Sequence, residues 1–208
     1  MRPQPLTLPD TEVGWPDCGW LISAIEMAAL ASGNWPPMPD AGPLGWTCFP
    51  RVAMRRLRND ARSVGVARDF SIATMRRWGV AGRSTDIEVV VSELVSNALR
   101  YGDPDPGEPP NGWPVRLGLA QPGPWVLCAV ADPGRKPPVP KELGYLAETG
   151  RGLYVIAALS DRWGCTVPGS SGKVVWALLS TALLSHRPSP GVMPLEQQFS
   201  VSPYRGEN

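Results

Sequence analysis

Glu93 and Asn97 are the two side chains of this 208-residue chain whose types and spacing are best suited to chemistry. They stand four residues apart, so on a helix both project from one face, one turn from each other. A carboxylate and an amide oxygen in that arrangement can orient a nucleophile and hold a hard cation, because magnesium takes oxygen ligands and keeps waters and substrate phosphates around it. A solvated glutamate and an asparagine bonded to a nearby loop is the simpler interpretation, and the spacing alone leaves both open.

The segment from Thr85 to Gly102 must supply the helix that places this pair. Thr85 and Glu88 have the spacing of a capping box, which predicts that the helix begins at Thr85. Apolar residues then recur at intervals of three and four, and this stripe predicts packing against a sheet. The stripe consists of Ile87, Val90, Val91, Leu94, Val95, Ala98 and Leu99.

Asp132 and the run Gly150-Arg151-Gly152 are further candidates for chemistry. Asp132 ends the apolar run WVLCAVAD, where a buried carboxylate needs a donor to offset its desolvation, although a cap or turn aspartate is an equal alternative. A glycine-rich turn at a helix start offers free amides and the positive end of the helix dipole, which suit phosphate. Taken alone, each of these signals is weak.

The remaining pattern predicts the elements around the central helix. Amphipathic segments predict helices at 17–32, 63–78 and 153–159, and alternating or apolar runs predict strands at 52–58, 115–119, 125–131, 163–167 and 173–179. Apart from the first helix, these elements fall within one predicted domain at 47–184. Three helices on one face of a mixed sheet give an α/β fold, a two-layer α/β sandwich.

Two segments flank the predicted domain. Residues 1–46 form a leader rich in proline and tryptophan, and residues 185–208, rich in proline and serine, are expected to be disordered. The tryptophans of the leader either cover an apolar patch of the domain or belong to a partner-binding arm, and the sequence does not separate the two. They are Trp15, Trp20, Trp35 and Trp46.

Composition narrows the class of protein. The net charge of +1 gives no global field that would favour nucleic acid or an anionic membrane as a partner. The four cysteines lack CxxC spacing, so metal clusters and disulfide frameworks are not expected. The sequence shows no signal peptide and no apolar run long enough for a membrane span, and a cytoplasmic protein with reduced thiols is expected.

Four runs, in order along the chain, resemble the boxes of the GHKL nucleotide-binding superfamily, which includes sensor histidine kinases, type II topoisomerases and bacterial anti-sigma serine kinases. They are ELVSNA at 93–98, VADPG at 130–134, ETGRGLYVI at 148–156 and GKVVW at 172–176. The resemblance covers about residues 49–179, and the chain looks most like short actinobacterial relatives of the anti-sigma factor kinases. This implies the Bergerat ATP-binding fold, with ATP and Mg²⁺ as cofactors.

By this resemblance, Glu93 is the catalytic residue, which orients or deprotonates the hydroxyl of a substrate serine. Asn97 is the metal ligand, on a magnesium ion that bridges the phosphates. Asp132 accepts a hydrogen bond from the exocyclic amine of adenine, which selects adenine over guanine. The other residues expected to bind nucleotide are Gly134, Gly150, Arg151, Gly152, Leu153 and Lys173.

The chain departs from its relatives at two of these boxes. Lys136 stands where many relatives have a second glycine, and the predicted ATP lid at 135–149 is short and stiffened by its prolines. Lys173 and Val174 stand where relatives often have threonines, whose hydroxyls support the network near adenine. Either the affinity for nucleotide falls or Lys173 compensates by contacting phosphate.

The resemblance implies an anti-sigma-factor-like serine/threonine protein kinase that regulates transcription by phosphorylating an antagonist protein. Its partners would be that anti-sigma antagonist or a sigma factor, with a homodimer as a further option. The only histidine, His186, lies in the tail, which argues against a sensor histidine kinase. The alternative is a non-catalytic, nucleotide-dependent protein-binding module, because a fold does not fix its function.

Overall fold

Five strands form one sheet in a computed structural model of the chain, which describes residues 19–32, 51–102, 115–139, 151–167 and 172–181. The strands are β1 (Arg51–Leu57), β2 (Val115–Gln121), β3 (Trp125–Asp132), β4 (Arg162–Thr166) and β5 (Lys173–Ser180). Their order in the sheet is β1-β2-β3-β5-β4, so the last two strands are placed out of sequence order. The predicted strands are confirmed with shifts of one or two residues at their ends.

Four helices accompany the sheet: α1 (Gly19–Ser32), α2 (Arg62–Trp78), α3 (Ser84–Tyr101) and α4 (Gly152–Leu159). The apolar stripe of α3 is buried with residues of α2 and α4 against one face of the sheet, as the periodicity predicts. This arrangement is the two-layer α/β sandwich expected from the sequence. No described helix is long and apolar enough to cross a membrane.

The prediction of a mixed sheet is wrong, because every pairing among the described strands is antiparallel. The single helix α4 between β3 and β4 does bring β4 back parallel to β3. However, β5 inserts between them and pairs antiparallel with both. Parallel strands therefore exist in the fold without being neighbours.

The three helices of the predicted domain, α2, α3 and α4, lie on one face of the sheet as predicted, whereas α1 of the leader covers the opposite face. Alternate residues of β3 and β5 point to opposite faces, and α1 packs against the set that α3 does not touch. The residues buried in this second cluster include Leu21, Ala24, Ile25 and Ala28 of α1 with Leu127, Ala129, Trp176 and Leu178 of the sheet. Both faces of the central strands are apolar, so each face needs a cover.

Trp20 of the leader is half-buried and packs against this second cluster. For Trp20, the interpretation as a cover for an apolar patch of the domain is therefore confirmed. The other three tryptophans of the leader, the predicted boundaries at 46/47 and 184/185, and the tail lie outside the described residues.

The start of α3 also differs from the sequence prediction. The helix begins at Ser84, after a short 3-10 turn, so Thr85 lies inside the helix and the predicted capping box does not form. Instead Arg83 contacts Asp86 across the first turn at 3.0 Å and donates a hydrogen bond of 3.0 Å to the carbonyl of Leu159. Because Leu159 ends α4, this contact ties α4 to α3.

Candidate functional site

Glu93 and Asn97 lie half-buried on the face of α3 that meets the beginning of α4. A Cβ atom placed on Gly152 would lie 2.6 Å from Glu93 Oε2 and 3.4 Å from both side-chain polar atoms of Asn97. The absence of a side chain at Gly152 therefore lets the α4 backbone come directly against both residues. We call Glu93, Asn97 and Gly152 the α3–α4 cluster.

The α3–α4 cluster combines side-chain oxygens with the amides at the beginning of a helix. The first amides of an α-helix have no intrahelical acceptor, and no side-chain bond from Arg151 caps those of α4. The positive end of the helix dipole adds to their attraction for an anion. The α3–α4 cluster therefore has an anion-binding backbone beside a carboxylate and an amide oxygen.

The donor set of this cluster fits magnesium that is shared with phosphate. Within the described ranges, no three His, Cys, Asp or Glu side chains come together as a cation site. Magnesium is commonly held by one or two protein oxygens, with waters and substrate phosphates completing its shell. The side-chain oxygens of Asn97 and Glu93 are sufficient for that kind of site.

Asp132 forms the centre of a second cluster, at the end of β3. It is 4% exposed and lies opposite Lys173 in the register of β3 and β5. Its Oδ1 atom accepts hydrogen bonds from Lys173 Nζ at 2.7 Å and from the Gly134 amide at 2.9 Å. Burial raises the pKa of Asp132 to about 6, against the opposing influence of the Lys173 ammonium and the Gly134 amide.

Two glycines that the sequence analysis did not assign to the site pack directly on Asp132. A Cβ atom on Gly102 would overlap the Ala98 carbonyl and lie 3.0 Å from Asp132 Oδ1. Gly172 has φ of 91°, and a Cβ atom there would overlap the Asp132 carbonyl. In the sequence, the signal for each glycine was its position: Gly102 directly follows the central helix, and Gly172 directly precedes the last strand. We call Asp132, Gly134 and Lys173, with Gly102 and Gly172, the Asp132 cluster.

The residues predicted from the sequence are distributed between the two clusters and their surroundings. Gly134 is buried beside Asp132, and Lys173 contacts Asp132 as described above. Arg151 is exposed next to Gly152, whereas Leu153 is buried in the core under α4. Gly150 and the lid residues 140–149 lie outside the described residues; the lid residues 135–139 form neither helix nor strand.

The two clusters are separated along the length of α3. Gly102 follows Asn97 by five residues and Glu93 by nine, which corresponds to about 7 to 14 Å along a helix axis. The apolar stripe of α3 is buried against the sheet, so the polar pair is held in a fixed relation to the end of β3. One extended ligand could therefore contact both clusters.

A protein family and a solved structure are similar to this chain. The family model described as the histidine kinase-like ATPase domain matches residues 57–178, more than half of the chain. A solved structure of the RsbU and RsbW domains of Rv1364c from Mycobacterium tuberculosis is similar over 62% of this chain, at 16% sequence identity and a TM-score of 0.46. The chain spans 32% of that structure. Among curated proteins, none matches the sequence significantly.

Proposed function

Because this chain belongs to the histidine kinase-like ATPase family, we propose that it binds ATP with magnesium and phosphorylates a serine or threonine of a protein antagonist. The observation that carries the proposal is the position of Gly152 against both Glu93 and Asn97. That contact combines a candidate base, a candidate metal ligand and a helix start suited to phosphate. The family match itself supports nucleotide binding.

In this proposal the α3–α4 cluster holds the phosphates. Asn97 ligates the magnesium ion, which when bound neutralises charge on the transferring phosphoryl group. Glu93 orients or deprotonates the hydroxyl of the substrate residue. The amides at the beginning of α4 bind phosphate oxygens, and exposed Arg151 lies beside them. Phosphoryl transfer depends mainly on positioning and charge neutralisation, so this small set suffices.

The Asp132 cluster holds the base. Asp132 accepts a hydrogen bond from the exocyclic amine of adenine, and guanine is rejected because it carries a carbonyl at the corresponding position. Gly102 and Gly172 leave no side chain between the backbone and Asp132. Adenine at this cluster and phosphates at the α3–α4 cluster match the order of the two clusters along α3.

The partner is proposed from the sequence motifs. The runs at 93–98 and 148–156 resemble those of short anti-sigma factor kinases, so the substrate is an antagonist of that class, and a sigma factor is the second partner. In this scheme the protein acts in the cytoplasm and controls transcription through the phosphorylation state of the antagonist.

Labelled ATP, incubated with the protein and candidate antagonists from the same genome, tests the proposal. Phosphoserine or phosphothreonine on one antagonist is expected. Glu93→Ala should slow transfer on the order of 10² to 10⁴ while nucleotide binding stays nearly intact, since a positioned acid or base contributes about that much. Asn97→Ala should instead abolish magnesium-dependent nucleotide binding, because it removes a ligand of the cation.

Glu88→Ala is the matched control. Glu88 is also half-buried on α3. It precedes Glu93 by five residues, which places it about 140° around the helix from Glu93. Glu88→Ala should therefore retain both nucleotide binding and phosphoryl transfer. If the wild-type protein binds an antagonist or a sigma factor in the presence of ATP without modifying it, and Glu93→Ala changes nothing, the kinase assignment is wrong. The protein is then a nucleotide-dependent binding module.

A further inference from the structure

Lys173 is a buried cation in direct contact with Asp132. It is 4% exposed, and it lies directly opposite Asp132 in the register of β3 and β5. Removing an ammonium group from water is costly unless it is paired and hydrogen-bonded. The neighbours of Lys173 must therefore compensate its charge. The positions of those neighbours indicate the role of the lysine.

Three oxygen atoms surround the Lys173 ammonium. They are Asp132 Oδ1 at 2.7 Å, the Gly134 carbonyl at 3.3 Å and the Tyr101 carbonyl at 3.3 Å. An ammonium group has three N–H donors, so each donor has an acceptor within the protein. None is left for a phosphate, so these contacts argue against the alternative in which Lys173 compensates for the missing threonines by contacting phosphate.

The same contacts join three separate elements. Tyr101 ends α3, Asp132 ends β3 and Gly134 begins the loop that leads into the predicted lid. Lys173 on β5 bonds to all three. The ammonium therefore fixes the carboxyl of Asp132 relative to the helix that carries Glu93 and Asn97.

Asp132 is held through one of its two oxygens. Lys173 Nζ and the Gly134 amide both donate to Oδ1, and within the described ranges no residue donates to Oδ2. The bonds to Oδ1 set the orientation of the carboxyl group. Oδ2 keeps its capacity to accept a hydrogen bond from a ligand.

Lys173 also supplies the positive charge that opposes protonation of Asp132. Burial already raises the pKa of Asp132 to about 6, and the Lys173 ammonium and the Gly134 amide act in the opposite direction. The other ionisable group that faces the pair is Cys165 of β4, whose thiol stays neutral because burial raises its pKa to about 12. From α3 the pair receives the carbonyl of Tyr101. Without Lys173, the buried carboxyl would take up a proton near neutral pH.

We propose that Lys173 is a positioning residue for base recognition, which holds Asp132 as an oriented carboxylate so that Oδ2 accepts the exocyclic amine of adenine. This inference rests on the proposed nucleotide-binding function and deepens it. A neutral side chain at position 173 would leave a protonated carboxyl that no longer offers the same acceptor. Recognition of the amine would then be lost at neutral pH, whereas the α3–α4 cluster would be unaffected.

Calorimetric titration of the full-length Lys173→Met variant with ATP and inosine triphosphate tests this inference. Inosine carries a carbonyl where adenine carries the amine, so the ratio of the two affinities reports on recognition of the amine. The wild-type protein should prefer ATP about 10- to 100-fold, the usual effect of a hydrogen bond to a charged group. Lys173→Met should lose this preference near pH 7 and regain it at higher pH, once the carboxyl ionises again.

Two comparisons separate this role from a purely structural one. In an Asp132→Asn background, Lys173→Met should change the ratio no further, because the lysine acts through the carboxyl. The inference is overturned if the Lys173→Met variant keeps the wild-type ratio of ATP to inosine triphosphate affinity at every pH. It is also overturned if the affinities for both nucleotides fall equally at every pH. If Lys173→Met does not fold by circular dichroism, Lys173→Thr, the residue type expected from relatives, takes its place under the same criteria.

A measurement without nucleotide keeps this inference distinct from the proposed function. Carboxyl NMR titration of Asp132 should show a higher pKa in Lys173→Met than in the wild type. An unchanged pKa overturns the inference even when ATP binds. If the wild-type protein binds no nucleotide, the proposed function is wrong. The role of Lys173 in base recognition is then wrong as well, whatever the NMR titration shows.

Discussion

The two clusters along α3 differ in how their polar groups are satisfied. In the α3–α4 cluster, the side chains of Glu93 and Asn97 are half-buried and make no hydrogen bond with a described residue. In the Asp132 cluster, the carboxylate and Lys173 are buried and bonded to each other and to backbone groups of Tyr101 and Gly134. The side chains of the α3–α4 cluster can therefore still form hydrogen bonds with a ligand. In the Asp132 cluster, most of the hydrogen bonds serve to hold the Asp132 carboxylate in place.

This difference has a physical reason in the proposed function. Transferring a phosphoryl group requires side chains that can meet a metal ion, a phosphate and an incoming hydroxyl in turn. Reading a base requires one acceptor in one place, because selectivity is lost when the acceptor can move towards another partner. Changes at the two clusters should therefore have separable effects on transfer and on base preference.

Among the changes that separate the two clusters, Gly152→Ala should have the largest effect, and it should slow phosphoryl transfer. The new Cβ atom would lie 2.6 Å from Glu93 Oε2, and the flexible end of Glu93 would move away with little loss of stability. Displacing a reacting group by about 1 Å costs on the order of 10²-fold in rate. The measurement is the single-turnover transfer rate together with the ATP-to-GTP affinity ratio, which should not change.

Gly65→Ala is the control for that substitution. Gly65 lies in α2 with open space around its Cβ position, so the change should leave transfer intact and stabilise the helix by roughly 0.5 to 1 kcal/mol. Equal transfer rates in Gly152→Ala and the wild type would show that Glu93 does not need its observed position.

The affinity for ATP should fall as the pH decreases through about 6, a smaller effect that belongs to the Asp132 cluster. Binding favours the ionised form of Asp132, whose pKa burial raises to about 6, so ATP binding releases a proton below that pH. One proton corresponds to at most about a tenfold loss of affinity per pH unit. Calorimetry in buffers of different ionisation enthalpy measures the released proton, and Asp132→Asn should abolish this release.

Leu21→Ala should have no effect on either cluster, although it should destabilise the fold. Leu21 is 1% exposed and packs against Gly118 on the face of the sheet that α1 covers. Truncating a buried leucine costs about 2 to 5 kcal/mol, whereas exposed Glu26→Ala on the same helix should stay within about 0.5 kcal/mol. Denaturant unfolding provides the test, and an ATP affinity that changes in folded Leu21→Ala would contradict the separation of the two faces.

The secondary structure was largely predictable because its signals are local. The periodicity of α3 and the apolar run of β3 are visible within a window of a dozen residues, and Gly79 ends α2 in the left-handed conformation with φ of 74°. Trp176 of β5 is 2% exposed, in line with the ordinary preference of aromatic residues for strands. The shared face of Glu93 and Asn97 follows from helical geometry alone.

Features that depend on pairing between distant segments were not predictable in the same way. The bond between Lys173 and Asp132 exists because β3 and β5 pair in one register, and no local pattern specifies that register. The sequence did not specify which face of the sheet α1 covers, for a similar reason, although strands that are apolar on both faces indicate that each face must be covered. The approach of Gly102 and Gly172 to Asp132 likewise requires the assembled fold.

Calorimetric titration of the wild-type protein with ATP and GTP in the presence of magnesium tests the central claim most directly. The account predicts that ATP binds and that GTP binds more weakly, and that Asp132→Asn weakens ATP binding by about 1 to 3 kcal/mol through the loss of a charged acceptor. Equal affinities for the two nucleotides, or no binding of either, would contradict it.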